Sequence, residues 1–472
     1  MQKPFFYLAL IAILAACGSA NQPAPSTATE FIEVHPDGFG FRTAKTHAPF
    51  FPVGVNYDHD AAGRLLEDYW LTEWGRVEND FRNIAALGFN VVRVHLQFNQ
   101  FMDGPAAIHE ESFRQLAKLV ELSRRRGLYL DLTGLAHYRQ ADIPPWFLAL
   151  DDEQMAEAEA NFWKQIAARF RDEPAIFCYD LQNEPLIASS DTREIVGPPF
   201  VGVEGVYHFI NLHDREISRH WTRWVAARYG DETRLRAQWP DYPRRGEDFL
   251  HLGLPGAADR ERNRDFLTFI GERAVKWTRQ MTAAIRAQDR RHLITIGSLP
   301  GVEPFFESHY SPFSPHVLGG LLDFVSIHLH LGDAPGENDP ATSEMALRAA
   351  YVGKPVVIEE LSMLVPAEIQ DRFLRRSRES ASGYLGYYWG RTPAELRASG
   401  TMRDAITAGQ IDAFSRLAGE LGHTLARRRV GDQTMRASIL ELRLSAELRA
   451  RCRRTFADQV RAGRYVDFRL SP

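Results

Sequence analysis

Two short stretches of this chain carry carboxylates where chemistry could use them. Asn183-Glu184-Pro185 follows an apolar run from Ala175 to Leu181, and Glu359-Glu360 closes another that begins at Lys354-Pro355. Each run reads as a β-strand, so each places a glutamate where a strand leaves its sheet. Two carboxyl groups facing one cleft can divide the work of cleaving a glycosidic bond, one as acid and the other as nucleophile. That division needs one group protonated at neutral pH and the other ionised, hence two different environments. An asparagine beside the acid can hold a sugar hydroxyl, and the proline stops the strand and fixes the turn. The triplet alone is a weak signal; its weight comes from where the strands fall. Glu359 and Glu360 are neighbours on one strand, so they point to opposite faces. Both faces are apolar, Val356 and Ile358 with Glu360, Val357 and Leu361 with Glu359, so alternation does not choose between them.

The elements that must position these groups recur along the chain. Strand candidates are Phe51 to Val55, Asn90 to Leu96, Leu128 to Leu132, Ile176 to Leu181, His292 to Ile296, Asp323 to His328, Pro355 to Glu360 and Tyr384 to Trp389. Helical patterns lie between them. Phe113, Leu116, Ala117 and Val120 share a face that Gly127 ends, and Phe266, Ile270, Trp277, Met281 and Ile285 mark a long helix. Strands alternating with helices imply a parallel sheet, and eight such strands close an α/β (β/α)8 TIM barrel. About 110 residues separate the fourth and fifth strands, where a barrel needs one helix. Residues 186–263 are therefore expected as a helical insertion on the substrate face, with helices over Arg219 to Tyr229 and Thr233 to Trp239. The barrel is expected over 31–422 and a helical tail over 423–472.

On these motifs the chain resembles glycoside hydrolase family 5, within the clan of retaining (β/α)8-barrel glycosidases, over roughly Phe51 to Leu421. The resemblance implies a retaining β-glycosidase without cofactor. It makes Glu184 the acid/base and Glu360 the nucleophile, since the family's nucleophile is the second position of this pair. Glu359 is then expected to face the helix layer and meet an arginine or solvent. Arg93, in Asn90-Val91-Val92-Arg93, inherits the role of supporting the nucleophile's charge, and Asn183 that of a substrate ligand. His328 matches the family's His-x-Tyr, and His330 stands where the tyrosine would be, either as substitute donor or as a change of pH optimum. Trp389 matches the platform under the sugar. For the active-site histidine of the third strand, either Thr133 occupies the position or His137 reaches back to it. Asn56-Tyr57 would line the cleft.

The other features bound the reading. With 56 basic and 61 acidic residues, a net charge of −5, the chain gives no support to a nucleic-acid partner. A charged content of 25% and a hydrophobic content of 44% argue against disorder and against a polytopic membrane protein. The apolar run Phe5 to Ala16 is too short for the ~20 residues a bilayer span needs. It ends Leu14-Ala15-Ala16-Cys17-Gly18, which resembles a bacterial lipobox: residues 1–17 read as a signal with Cys17 lipidated, 18–30 as a flexible tether, and the location as the cell envelope, outer membrane over inner. Cys178 reads as a buried thiol. The tail holds 12 Arg against 5 acidic residues and reads as a solvated helix against the acidic remainder, with contact to anionic lipid or lipopolysaccharide as the alternative. His328 and His330 share a strand face as metal ligands can, but on the sixth strand, so no metal is expected. The partners expected are a β-linked carbohydrate and, through Cys17, a membrane. The rival reading is a surface glycan-binding lipoprotein with an impaired site, for which His330 is the best support.

Overall fold

The computed structural model describes residues 30–136, 138, 139, 142–185, 217–255, 260–298, 313, 315–331, 350, 352–378 and 380–424. Three short strands come first: β1 (Ile32–Val34), β2 (Phe41–Thr43) and β3 (Pro49–Phe50), an antiparallel sheet in the order β1-β2-β3. Eight parallel strands follow: β4 (Val53–Asn56), β5 (Val91–Gln97), β6 (Tyr129–Ala136), β7 (Ile176–Asn183), β8 (Leu293–Ser298), β9 (Val325–Leu331), β10 (Val356–Met363) and β11 (Gly383–Gly386). They close into one barrel, with β11 pairing β4. The expected (β/α)8 barrel is the fold.

The helices form where the sequence stops and starts them. Glu110–Arg126 carries three arginines in its last turn and ends at Gly127, which takes the left-handed conformation at φ 69°. Glycine adopts it without a Cβ clash. Asp152–Phe170 begins with a capping box, in which the Asp151 side chain accepts from Gln154 N and the Gln154 side chain accepts from Asp151 N. Its Phe162, Trp163 and Ile166 are buried against the barrel.

Along β5 the outward residues Val92, Val94 and Leu96 join the core between strands and helices, while Val91 joins a second cluster inside the barrel. That inner cluster, with Tyr129, Phe177, Leu293, Phe324 and Val357 from the strand starts, is covered by Ile32 and Phe41 of the small sheet. The bottom of the barrel is thus plugged by β1 to β3, a feature the sequence reading did not foresee. Above the plug the inward positions turn polar, and there the site lies.

Of the insertion, residues 217–255 and 260–263 are described. Its helix Ile217–Tyr229 packs on the long helix Arg260–Arg286 through Trp221, whose ring meets Phe266 edge-on at 5.4 Å and stacks on Trp224 at 5.6 Å and on Trp239, just after the helix Glu232–Gln238, at 5.7 Å. Cys178 is a buried free thiol. Cys17, His137, Cys452 and residues 186–216 and 425–472 lie outside the described residues. Among the described residues no helix is long and apolar enough to cross a membrane.

Candidate active site

Arg93 organises the upper barrel. Its side chain is fully buried on β5. NH1 donates to Glu360 Oε1 at 2.6 Å and to Asn56 Oδ1 at 2.9 Å; NH2 donates to Asp180 Oδ2 at 2.7 Å and to Asn183 Oδ1 at 2.8 Å. Asn183 spends its side-chain carbonyl on Arg93. Asn56 donates Nδ2 to the Glu359 carbonyl at 2.9 Å, so it sits beneath the site rather than lining it. Tyr57 faces away: its hydroxyl donates to Asp80 at 2.9 Å and its ring packs edge-on against Phe81.

Glu184 stands at the top of β7 with φ 43°, its N–H donating to the Gly297 carbonyl at 2.9 Å. Its Oε1 lies 2.6 Å from His328 Nδ1. Glu360 Oε2 lies 3.7 Å from that nitrogen and 3.8 Å from His330 Nε2. One ligand atom each of Glu184, His330 and Glu360 falls within 4.8 Å of the others. The structure therefore brings together Glu184, Glu360, Arg93, Asn183, His328 and His330. His330, the one residue that spoke for an impaired site, sits beside Glu360 where a donor is wanted. On the third strand, Thr133 is buried and donates to Asp180 at 2.8 Å, inside the barrel.

Two further expectations fail. Glu359 does not face the helix layer. Ile358 pairs with Ile327 but Glu360 with His328, so β10 carries one extra residue there. Such a bulge re-aims the side chains on either side of it. Val357 and Glu359 point inward, Ile358 and Leu361 outward, and Glu360 inward again. Glu359 lies buried among Arg93, His328, Asp131 and Asp180. Nor is Trp389 a platform: it is 1% exposed and belongs to the core between strands and helices. Tyr387, two residues earlier, faces the site. Its ring stands edge-on to His330 at 5.9 Å, and burial together with Asp58, Glu360 and Glu184 pushes its hydroxyl well up.

Charge is distributed unevenly. His328 is pushed up to about 10: burial opposes the cation, but Glu360, Glu184 and Glu359 outweigh it. Burial, with Glu359 beside it, raises Asp180 to about 6 and Asp131 well above the carboxylate range. Burial also resists ionisation of Glu359, yet Arg93 and His328 hold it down at about 2.

The sequence reading missed His95, Tyr138, Asp58 and His59. His95 Nδ1 is hydrogen-bonded to the Tyr138 hydroxyl, and burial with Arg93 beside it holds the imidazole neutral. Asp58 Oδ1 accepts from His59 Nδ1 at 2.8 Å, and although burial works against ionisation, His59 lowers it to about 2. His95 was within reach of sequence reasoning, because it lies two residues after Arg93 and a strand repeats every two.

Comparison with known proteins agrees with this barrel. Residues 47–198, which hold β4 to β7 and Glu184, match the family model Cellulase (glycosyl hydrolase family 5). Cellodextrinase A of Ruminococcus flavefaciens is 29% identical over 109 residues, 23% of this chain and 32% of the relative, so the match spans about a third of that protein's length. The exo-β-1,4-mannosidase Op5Man5 from Opitutaceae bacterium strain TAV5 superposes with TM-score 0.54 at 18% identity, over 83% of this chain and 63% of that one. A β-galactosidase from the psychrophilic Marinomonas ef1 gives 0.55 at 14%, over 81% and 61%. At such identities these two structures speak for the fold. Over residues 47–198 the chain is thus similar to glycoside hydrolase family 5, and the matched segment includes Glu184.

Proposed function

We propose that the protein is a retaining β-glycoside hydrolase that cleaves β-linked oligo- or polysaccharides by double displacement. The observation that carries this reading is the approach of Glu184 and Glu360, whose nearest oxygens lie within 4.8 Å across the mouth of the barrel. Inverting pairs stand roughly 6.5–9.5 Å apart to admit a water; retaining pairs are closer. Glu360 attacks the anomeric carbon as the bond to the leaving oxygen breaks, and Glu184 gives that oxygen its proton. Glu184 then takes a proton from water, which displaces Glu360 from the sugar. Arg93 engages Oε1 of Glu360 and leaves Oε2 turned towards His330. His330 serves as the second donor to the nucleophile, and Asn183 and Tyr387 hold the sugar.

The name of cellodextrinase A makes cellodextrins the first substrates to try, with β-1,4-mannosides and β-galactosides beside them. The decisive experiment pairs aryl β-glycosides with active-site variants. Glu360→Ala should abolish turnover, and azide should partly restore it as a glycosyl azide of inverted configuration, because a small anion fills the vacated space. Glu184→Ala should slow hydrolysis by about 10²–10⁴ on substrates whose leaving group needs a proton. Full activity in both variants would sink the two-glutamate mechanism. We further propose that Cys17 is acylated and holds the enzyme in the bacterial cell envelope, at the outer membrane.

A further inference from the structure

We propose that Glu359 is a positioning residue, a buried counter-ion that keeps His328 a cation with one N–H on Glu359 and the other on Glu184. The proposal rests on the assignment of Glu184 as acid/base.

The geometry is that of an imidazole strung between two carboxylates. His328 Nδ1 lies 2.6 Å from Glu184 Oε1, and Nε2 lies 3.5 Å from Glu359 Oε2. Both of these last atoms are buried, and among the described residues neither has a hydrogen-bond partner. The two atoms face each other, with Arg93 NH2 at 3.6 Å from the carboxylate and Asp131 beside it. Glu359 is held from two further sides. Its Oε1 accepts from Ser326 Oγ at 3.0 Å, and its carbonyl accepts from Asn56. Above the junction sits Gly297. A Cβ there would come within 2.9 Å of Arg93 NH2 and 3.0 Å of both Glu359 Oε2 and His328 Nε2, so only glycine lets the three groups meet.

The charged and titratable groups around the pair are Arg93 and His95 on β5, Asp131 on β6, Asp180 and Glu184 on β7, His330 on β9 and Glu360 on β10. Burial and mutual repulsion push Asp131 and Asp180 towards their protonated forms, whereas Glu359 stays ionised. Asp180, raised only to about 6, is paired with Arg93, and Glu359 is the ionised group beside His328. When Glu184 passes its proton to the glycosidic oxygen and the bond to the anomeric carbon breaks, its new carboxylate forms against the Nδ1–H of His328. The imidazolium keeps both of its protons. Without the charge on Glu359, His328 gives up a proton at lower pH, and the new carboxylate on Glu184 then forms against a neutral imidazole instead of a cation.

The test compares the full-length protein with Glu359→Gln on phenyl and 2,4-dinitrophenyl β-D-glucoside and β-D-mannoside. Dinitrophenolate departs without a proton and phenolate does not. The expected result is a fall in kcat of about tenfold or more on the phenyl glycosides, growing as pH rises, with KM little changed and a loss below about threefold on the dinitrophenyl glycosides. Equal losses on both leaving groups would overturn the proposal. A second measurement does not depend on turnover: ¹⁵N NMR of histidine-labelled protein, with His328 assigned through His328→Gln. The His328 imidazolium should persist beyond about pH 8 in the parent and titrate nearer to the free value of about 6.5 in Glu359→Gln. Should that variant not fold, Ser326→Ala should shift the titration in the same direction by less. An unmoved titration overturns the proposal. A parent protein that hydrolyses none of these glycosides would count against the function proposed above, while the NMR comparison would still decide the role of Glu359.

Discussion

A side chain's role here follows from which way a single Cα–Cβ bond points. Trp389 and Tyr387 are two residues apart, and the motif alone favours the tryptophan, yet the structure buries Trp389 and turns Tyr387 to the site. The two should therefore fail differently when truncated. Trp389→Ala should lower unfolding stability by about 3–5 kcal/mol, read from a denaturant midpoint. Tyr387→Ala should leave stability nearly intact and lower kcat/KM on a glycoside by about tenfold. The opposite pattern would restore Trp389 as the platform. Arg93, Asn183 and His328 were singled out by the family resemblance, whereas the place of Glu184 was legible because a short apolar run fixes the strand end before it. The direction of Glu359 was not, because a one-residue bulge leaves no mark in the alternation it breaks.

At the scale of elements, the connection from the helix Arg260–Arg286 into β8 is held by one carboxylate. Asp289 Oδ1 accepts from the N–H groups of Arg291 at 2.8 Å and His292 at 3.2 Å; its Oδ2 accepts from His292 Nδ1 at 2.5 Å and the Tyr179 hydroxyl at 3.0 Å. Burial resists its ionisation, but His292 and these N–H donors hold it down at about 2. Its folded value lies below the unfolded value of about 3.9, so its stabilisation is complete above that value and fades as pH falls through about 2. Asp289→Asn should cost about 1–3 kcal/mol at neutral pH, and the gap to the parent should close between about pH 4 and pH 2, with kcat unchanged. A gap that persists at pH 2 would assign the effect to packing instead. All eight barrel strands were foreseen, because each is an apolar run long enough to read. The strands of the plug were not: β1 to β3 are two or three residues each, too short for a periodicity, and Ile32 and Phe41 declare their role only when set against the barrel floor.

For the whole molecule, the proposed anchor and the tail make separate claims. Cys17→Ala should release the protein from the membrane fraction, and unchanged detergent partitioning would remove the anchor from the account. Truncation after Thr424 should leave kcat on a small aryl glycoside within a few fold. A hundredfold fall, about 2.7 kcal/mol of transition-state stabilisation, would make residues 425–472 part of the site. The plug carries the last consequence. Tyr129, at the start of β6, exchanges hydrogen bonds with the main chain of Glu30, so the segment leading from Cys17 meets the barrel at its floor. The glutamates open at the other end. A protein leashed at Cys17 would thus stand with its mouth turned outward from the lipid. Residues 18–30, fully extended, give it a radius of ~40 Å within which to sweep. Such a catalyst would meet dissolved polymers and fragments rather than chains lying flat against the membrane beneath it.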